Sequence, residues 1–261
     1  MVRVLTVGYG VLCYLVFLVV FGYLVGFLGG FPVPRTVDDG IGAPLGQAIA
    51  VNLVLIGLFA AQHTIMARPA FKRWWTRFAP AAVERSTYVS ASSLLLALLF
   101  WQWRTIADIV WDVTWGPGRI ALQALFWAGW LIVLGSTFMI DHFDLFGLRQ
   151  VYLAWRQRAY SHVPFRTTMF YRFVRHPIMA GFIIAFWATP TMTVGHLLFA
   201  AATTGYILVG VRVEERDLVA ALGNSYRDYQ RRVPRLIPGT HGGPSGGGRE
   251  TVVRGTTPGH A

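Results

Sequence analysis

Four short polar clusters interrupt an otherwise apolar chain, and their residue types suit proton transfer and the binding of a charged ligand. They are Gln62-His63, Asp141-His142 with Asp144 and Arg149, Arg175-His176-Pro177, and Glu214-Glu215. A histidine titrates near neutral pH and can serve as a general base, whereas carboxylates hold cationic groups. Because ionisable side chains at membrane depth are costly, their positions predict a functional site. We expect a polar pocket at one membrane face.

Each cluster is also compatible with a purely structural role. His63 fits a hydrogen-bonded histidine at a helix end, and Arg175 fits the cationic flank of a membrane helix. The pair Glu214-Glu215 could form ion pairs with the arginines beside it, an interaction worth little where it is exposed. The residue types alone leave both the structural and the functional role open.

The composition identifies the kind of chain that must position these clusters. Hydrophobic residues make up 54% of the 261, aromatic residues 15% and charged residues only 13%. A soluble domain carries about 25% charged residues, so a soluble enzyme, a disordered chain and a collagen are excluded. The single cysteine, Cys13, excludes a disulfide framework and a cysteine-based zinc site, and no spacing predicts another metal site. The sequence predicts a polytopic integral membrane protein.

Apolar stretches and basic residues together predict the topology. The net charge of +11 comes from Arg and Lys between apolar segments, which indicates membrane orientation rather than nucleic-acid binding. With the N-terminus inside, 20 of the 23 basic residues lie inside, so we expect both termini in the cytoplasm. The six apolar stretches are Val7–Phe31, Pro44–Ala67, Tyr88–Ile106, Arg119–Ile140, Pro177–Met192 and Thr193–Val213.

These stretches predict an all-α fold with five to six membrane helices in one domain, residues 1–238. The last two stretches are adjacent and the fifth is short, so they predict a helical hairpin that need not span the bilayer completely. Apolar residues then recur every three or four positions in Val213–Arg232, which predicts an amphipathic helix, either a lid over the pocket or flat on lipid. Residues 239–261 are rich in Gly and Pro and are expected to be disordered.

Ordered motifs near the C-terminus carry a family resemblance. They are Arg175-His176-Pro177, about 36 residues of hairpin, Glu214-Glu215-x-x-Leu218, Gly223-x-x-Tyr226-x-x-Tyr229 and Val233-Pro234-Arg235. This pattern, within residues 167–238, resembles the integral-membrane methyltransferases, which include isoprenylcysteine carboxyl and phospholipid N-methyltransferases. The resemblance implies S-adenosylmethionine (SAM) bound by residues of about 160–238. The implied SAM-binding residues are Val163, Phe165, Arg166, Tyr171, Arg175, His176, Met179, Glu214 and Glu215.

A narrower resemblance covers most of the remaining chain. The segments Gln62–Arg68, Glu84–Tyr88 and His142–Gln150 are similar to those of the methanethiol S-methyltransferases, and NnrU-type proteins share part of the pattern. Met179, Met169 and Gly210 stand where isoprenylcysteine enzymes carry Tyr, Gly and a substrate Arg, so a prenyl-cysteine substrate is disfavoured. The resemblance implies methylation of a small volatile thiol, in the bacterial inner membrane, with no obligatory protein partner.

Methylation of a thiol requires a thiolate, because the thiol is a far weaker nucleophile. His142 and His63 are the candidate bases, Asp141 or Asp144 would orient an imidazole, and Arg149 would stabilise the thiolate. Two alternatives remain open on the sequence. One is methylation of another thiol or of an isoprenoid or lipid acceptor. The other is an NnrU-like membrane sensor or transporter without catalysis.

Overall fold

The computed structural model describes residues 2–161 and 169–240, and these residues are almost entirely helical. The predicted all-α fold is confirmed. The helices are α1 (Val2–Gly29), α2 (Leu45–Ala67), α3 (Pro69–Trp75), α4 (Ala81–Gln102), α5 (Gly116–Ile140), α6 (His142–Leu145), α7 (Leu148–Trp155), α8 (Pro177–Trp187), α9 (Val194–Leu222) and α10 (Asn224–Arg232), with one 3-10 turn at Met169–Arg172.

Four of these helices, α1, α2, α5 and α9, are long and apolar enough to cross a membrane. Helix α4 has 22 residues, a sufficient length, but Glu84 and Arg85 lower the apolarity of its first turns. Helix α8 has only 11 residues and rises about 16 Å, about half the thickness of a bilayer core. The expected hairpin of α8 and α9 is therefore present, and its first arm is too short to span.

Short strands close one end of the bundle, which we call the strand end. Strand β1 (Ile41–Gly42) pairs in parallel with β2 (Arg104–Thr105). Strand β3 (Ile109–Asp112) pairs antiparallel with β4 (Thr191–Thr193), which joins α8 to α9. The polar clusters lie at the opposite ends of these helices. We call that end of the bundle the polar end.

Aromatic side chains dominate the interior of the bundle, where α1 packs on α4 and α5 packs on α8. Phe27, Trp103 and Phe199 are almost fully buried and contact one another edge to face. Large apolar side chains also cover the outside of the helices, for example Val19 and Ile120, each more than 70% exposed. Such a surface is unfavourable in water and is expected of helices that face lipid.

Helix α8 lies unusually close to α5 because both carry glycine at the contact. A Cβ on Gly181 would lie 2.7 Å from the carbonyl oxygen of Gly129, and a Cβ on Gly129 would lie 2.8 Å from that of Gly181. Small residues at a membrane helix interface allow the backbones to approach and gain dispersion energy. This contact fixes α8, and with it the residues at its N-terminus.

The amphipathic segment predicted as one helix at Val213–Arg232 is two helices. Helix α9 continues from the hairpin to Leu222, and Gly223 then adopts a positive φ of 59° that ends it. After this break, α10 turns Tyr226 and Tyr229 back against the apolar face at the end of α9. The predicted apolar face is therefore present, but the prediction of a continuous helix through Gly223 is wrong.

Candidate functional site

Three consecutive residues of α4 join the elements of the polar end. The Ser86 hydroxyl lies 3.5 Å from the carbonyl oxygen of Gly147, and Thr87 Oγ1 lies 3.0 Å from the hydroxyl of Tyr9 on α1. The next residue, Tyr88, turns to α2, where its hydroxyl lies 2.7 Å from Nε2 of His63. The polar segments of α2, α4 and α6–α7, which are far apart in the sequence, therefore meet at one end of the bundle.

His63 is held in one tautomer by a chain of hydrogen bonds. The Ser92 hydroxyl donates its proton to Oε1 of Gln62 at 3.1 Å, so its oxygen must accept from His63 Nδ1, which lies 3.2 Å away. With the imidazole proton on Nδ1, the lone pair of Nε2 accepts the hydrogen bond of Tyr88. The result is a neutral imidazole whose basic nitrogen is covered by a phenol.

His142 has the same arrangement on the other side of the bundle. Thr137 donates its hydroxyl proton to the Leu134 carbonyl at 2.7 Å, so it accepts from His142 Nδ1 at 2.8 Å, and Tyr14 donates to Nε2 at 2.7 Å. The ring is only 5% exposed and stacks on Phe138 with 4.2 Å between centroids. Burial lowers the pKa of His142 and keeps the imidazole neutral.

Asp144 and Arg149 bind each other rather than either histidine. Arg149 Nη1 donates to Asp144 Oδ1 at 2.9 Å, and Arg149 also donates to the carbonyl and hydroxyl of Ser161. The second carboxylate oxygen of Asp144 accepts from the Tyr160 hydroxyl at 3.1 Å, while Asp141 caps α6 by accepting from the Asp144 backbone. These contacts fasten residues 160–161 to α6 and α7, and neither acid orients an imidazole.

Arg175 and Glu215 form a buried ion pair that ties the C-terminal segment to the bundle. Both side chains are about 5% exposed, and Arg175 Nε donates to Glu215 Oε1 at 2.7 Å. Arg175 also donates through Nη1 to the carbonyl oxygens of Gln230 and Val233, so three of its five N–H donors are engaged by the protein itself. Arg235 binds Oε2 of the same glutamate at 2.7 Å. The Arg-His-Pro, Glu-Glu and Val-Pro-Arg motifs are thus parts of one structural unit.

Glu214, the neighbour of Glu215, has the opposite environment. Its side chain is 52% exposed, and its Oε2 lies 3.6 Å from Nδ1 of His176. His176 uses its other nitrogen, Nε2, to donate to Glu215 at 3.2 Å. Burial and the nearby Glu214 carboxylate raise the pKa of Tyr171, so its phenol stays neutral. Glu214 is also close enough to interact electrostatically with Tyr88.

The predicted residues therefore separate into distinct groups. Glu214, His176 and Tyr171 lie together. Glu215 binds His176 and forms the buried ion pair with Arg175. Met179 is half-buried against the hydrophobic core of the bundle. Val163, Phe165 and Arg166 lie outside the described residues. The expectation that residues 239–261 are disordered also concerns positions almost all outside the described part of the chain.

Sequence reasoning missed the hydroxyl groups that orient the two imidazoles. Tyr88 and Ser92 are four residues apart on α4, so both face His63 across one helix turn. That spacing is a usable signal, since Tyr88 belongs to one of the segments that carry the family resemblance. Thr137 and Tyr14 give no comparable signal, because Tyr14 lies 128 residues from His142 in the chain.

An apolar groove of about 480 Å³ opens between α1 and α7, away from these groups. Its lining includes Val7, Val11, Val151 and Trp155, and none of its lining residues takes part in the hydrogen-bond chains or ion pairs described above. Such a lining suits contact with lipid chains. It does not suit a cationic, polar ligand.

Comparison with known proteins agrees with the resemblance seen in the motifs. Methanethiol S-methyltransferase of Mycobacterium tuberculosis is 63% identical over 241 residues, which cover 92% of this chain and 99% of that protein. Methanethiol S-methyltransferase 2 of Bradyrhizobium diazoefficiens is 56% identical over 230 residues, 88% of each chain. Nurim of Mus musculus is 29% identical over 66% of this chain.

No family profile and no solved structure matches the chain. The first two relatives nevertheless align over 99% and 88% of their own length at high identity. The chain is an integral membrane methyltransferase, and it belongs to the methanethiol S-methyltransferase family.

Proposed function

We propose that this protein transfers the methyl group of SAM to methanethiol and releases dimethyl sulfide, in a pocket at the polar end of the bundle. The observation that carries the proposal is the position of Glu214. Its half-exposed carboxylate lies beside Tyr171 and interacts with Tyr88, the phenol bonded to His63. A group able to bind a cation and a group able to accept a proton are thus neighbours. We place this end, and both termini, in the cytoplasm of a bacterial cell, on the distribution of Arg and Lys.

The residues around Glu214 fit SAM by their chemistry. SAM, when bound, supplies an electrophilic methyl group on a positively charged sulfonium. Glu214 would hold the ammonium group or the ribose hydroxyls through hydrogen bonds, and the Tyr171 ring would offer a π face to the sulfonium. Arg175 has the charge to take the SAM carboxylate, but its guanidinium is already bound by Glu215 and two carbonyl groups. We therefore assign Arg175 and Glu215 the role of holding His176 and Glu214 in place.

The other half of the reaction is removal of the thiol proton. A simple thiol has a pKa above neutral, near 8.5 for cysteine, so little thiolate forms unaided at pH 7. His63 and His142 are both neutral imidazoles with a lone pair on Nε2, the protonation state that a base requires. Methanethiol and dimethyl sulfide are uncharged and cross the apolar bundle or the bilayer freely. A membrane enzyme can therefore take up such a substrate and release such a product without a dedicated channel.

The proposal is tested with protein purified in detergent, SAM and methanethiol, with sampling of the headspace gas. Dimethyl sulfide should form only when SAM is present, in equal amount to S-adenosylhomocysteine. Samples without SAM or without thiol are the controls. If SAM binds in a titration but no dimethyl sulfide forms, the acceptor is wrong, and longer thiols or lipids replace methanethiol. If SAM does not bind, the assignment of the Glu214 cluster is wrong.

A further inference from the structure

The bundle holds two hydrogen-bond chains of the same kind, and we propose that they have different roles. One is Tyr88–His63–Ser92–Gln62, in which Tyr88 is the catalytic group that touches the thiol and passes its proton to His63. The other, Tyr14–His142–Thr137, is a structural copy that holds α1 to α5 and α6. This inference rests on the proposed function, because it identifies the proton acceptor of that reaction.

The geometry of His63 requires an intermediary. Its Nε2 lies 2.7 Å from the Tyr88 hydroxyl, so a substrate thiol has no direct access to the lone pair. The chain behind the imidazole is oriented in one direction, from His63 Nδ1 to Ser92 Oγ and from Ser92 to Gln62 Oε1. Each donor thus points toward the amide oxygen, which stabilises a proton arriving on Nε2. The phenol is the outer end of this chain.

Contacts with α9 distinguish this chain from its copy. The hydroxyls of Thr64, next to His63, and of Tyr206 on α9 are 3.3 Å apart, and Arg68 pairs with Asp217 at 3.1 Å. These contacts hold α2, and Arg68 that follows it, against the helix that carries Glu214. His63 and Tyr88 are half-buried, and so accessible to a small ligand. His142, by contrast, is 5% exposed and lies between aromatic rings.

The charged and titratable groups around the Tyr88 phenol are consistent with this role. The Arg85 guanidinium lies 5.9 Å from the ring centroid, and Glu84 precedes it on the same helix. From α9, Tyr206 and Glu214 face the same phenol. The cation of Arg85 favours negative charge on the phenol oxygen, whereas the carboxylates of Glu84 and Glu214 oppose it, which suits a phenol that passes a proton on rather than one that ionises.

Two proton movements precede the transfer of the methyl group. The thiol S–H bond breaks and its proton moves to the Tyr88 oxygen, while the proton of that oxygen moves to Nε2 of His63. The phenol is regenerated, the imidazole becomes cationic, and the sulfur becomes a thiolate. The thiolate sulfur then forms the new C–S bond as the methyl–sulfonium bond breaks, and the electron pair of that bond stays with the departing thioether. His63 returns its proton to water.

A matched pair of variants, Tyr88→Phe and Tyr14→Phe, tests the inference. Each removes one hydroxyl that donates to a histidine. At pH 7 we expect Tyr88→Phe to lower kcat/KM for methanethiol about 100-fold, the lower range for loss of acid–base catalysis. The SAM dissociation constant, measured by titration without thiol, should stay within twofold. Tyr14→Phe should keep kcat/KM within about threefold and lower the melting temperature instead.

The pH profile separates loss of a proton relay from a structural defect. In Tyr88→Phe the rate should rise nearly tenfold between pH 7 and 8, and less steeply as the pH approaches the pKa of the thiol, because only thiolate formed in water reacts. The unmodified protein should show a much flatter profile. Ser92→Ala should show part of the same loss, and Ser92→Thr, which restores a hydroxyl, should recover it.

Equal losses in the two phenylalanine variants, or an unchanged profile in Tyr88→Phe, would overturn the inference while leaving thiol methylation intact. If the unmodified protein forms no dimethyl sulfide although SAM binds, the proposed function itself fails. The two failures are therefore distinguished by the unmodified protein alone.

Discussion

Glu214 and Glu215 are adjacent in the sequence, and the structure predicts opposite consequences when each is replaced by alanine. Glu215→Ala removes a carboxylate that is 4% exposed and leaves Arg175, 5% exposed, without its counter-charge. Removing one partner of a buried ion pair costs about 3–5 kcal/mol of unfolding free energy. Glu214→Ala removes a carboxylate that is 52% exposed and has one contact of 3.6 Å with His176. We expect this change to cost less than about 1 kcal/mol.

The effect on SAM binding should show the reverse order. A hydrogen bond to a charged group contributes about 1.5–3 kcal/mol, so Glu214→Ala should weaken SAM binding by about 10- to 150-fold. Glu215→Ala should weaken SAM binding by the folded protein less than Glu214→Ala does, because it acts only by displacing His176 and Glu214. The variant Glu215→Gln keeps the shape of the side chain and should retain part of the lost stability, since its amide oxygen still accepts from Arg175 or Arg235.

Two measurements on protein in detergent decide this prediction. Tryptophan fluorescence during heating gives the melting temperature of each variant, and calorimetric titration at low temperature gives the SAM affinity of the folded protein. Equal melting temperatures for Glu215→Ala and the unmodified protein would show that the ion pair is not a structural element. An unchanged SAM affinity in Glu214→Ala would refute the assignment of this carboxylate to the ligand.

Close contacts and burial lead to three further predictions. Gly147→Ala should cost about 2–4 kcal/mol, because Gly147 has a φ of 89° and its added Cβ would lie 2.5 Å from Ser86 Oγ; thermal melting checks this. Gly181→Ala should cost about 1–3 kcal/mol by separating α8 from α5, whereas Gly205→Ala, where a Cβ meets open space, should be neutral or stabilising in the same assay. In the folded protein the pKa of His142 lies below its ordinary value of 6.5. As the pH falls, the unfolded chain therefore binds a proton on this histidine before the folded protein does. The free energy of unfolding should therefore fall by up to about 1.4 kcal/mol per pH unit below about pH 6.5, and His142→Asn should flatten this dependence in melting curves from pH 5 to 7.5.

The membrane helices are predictable because their signal is composition over long windows. Uninterrupted stretches of about 20 apolar residues are rare in soluble proteins, and the short hairpin follows from the length of its first arm. The end of α9 at Gly223 is harder to predict from the sequence. A single glycine is tolerated within a helix, and only its positive φ shows that it ends one. The amphipathic pattern continues across the break, so periodicity alone favours a single helix.

The division of roles between Glu214 and Glu215 cannot be deduced from the sequence. Consecutive residues of a helix point about 100° apart, so one of two adjacent acids faces inward and the other outward. Arginines flank both, and Leu218, the next apolar residue of the periodic pattern, lies four positions from Glu214 and three from Glu215, so its spacing fits either acid. The inward position depends on Arg175 and Arg235, 40 and 20 residues away, whose contacts form only in the folded bundle.

The hydroxyl groups that bind the imidazoles could not be predicted from the sequence for a related reason. The sequence favours Asp141 or Asp144 as the group that orients a histidine, since acid–histidine pairs are common in catalytic sites. The structure uses Ser92 and Thr137 instead, whose own protons are committed to other acceptors. A neutral hydroxyl fixes the tautomer of the ring as a carboxylate does. Unlike a carboxylate, it adds no negative charge near a developing thiolate, where such a charge would oppose ionisation.

The small size of the proposed acceptor makes its orientation critical. Methanethiol has two non-hydrogen atoms, and the best small ligands gain at most about 1.5 kcal/mol for each. Its binding free energy is therefore limited to about 3 kcal/mol, which corresponds to a dissociation constant weaker than millimolar. So little binding energy cannot both hold the thiol and align it. A fixed phenol that accepts the S–H proton supplies the alignment itself, because the hydrogen bond to Tyr88 determines where the sulfur lies when it becomes a thiolate.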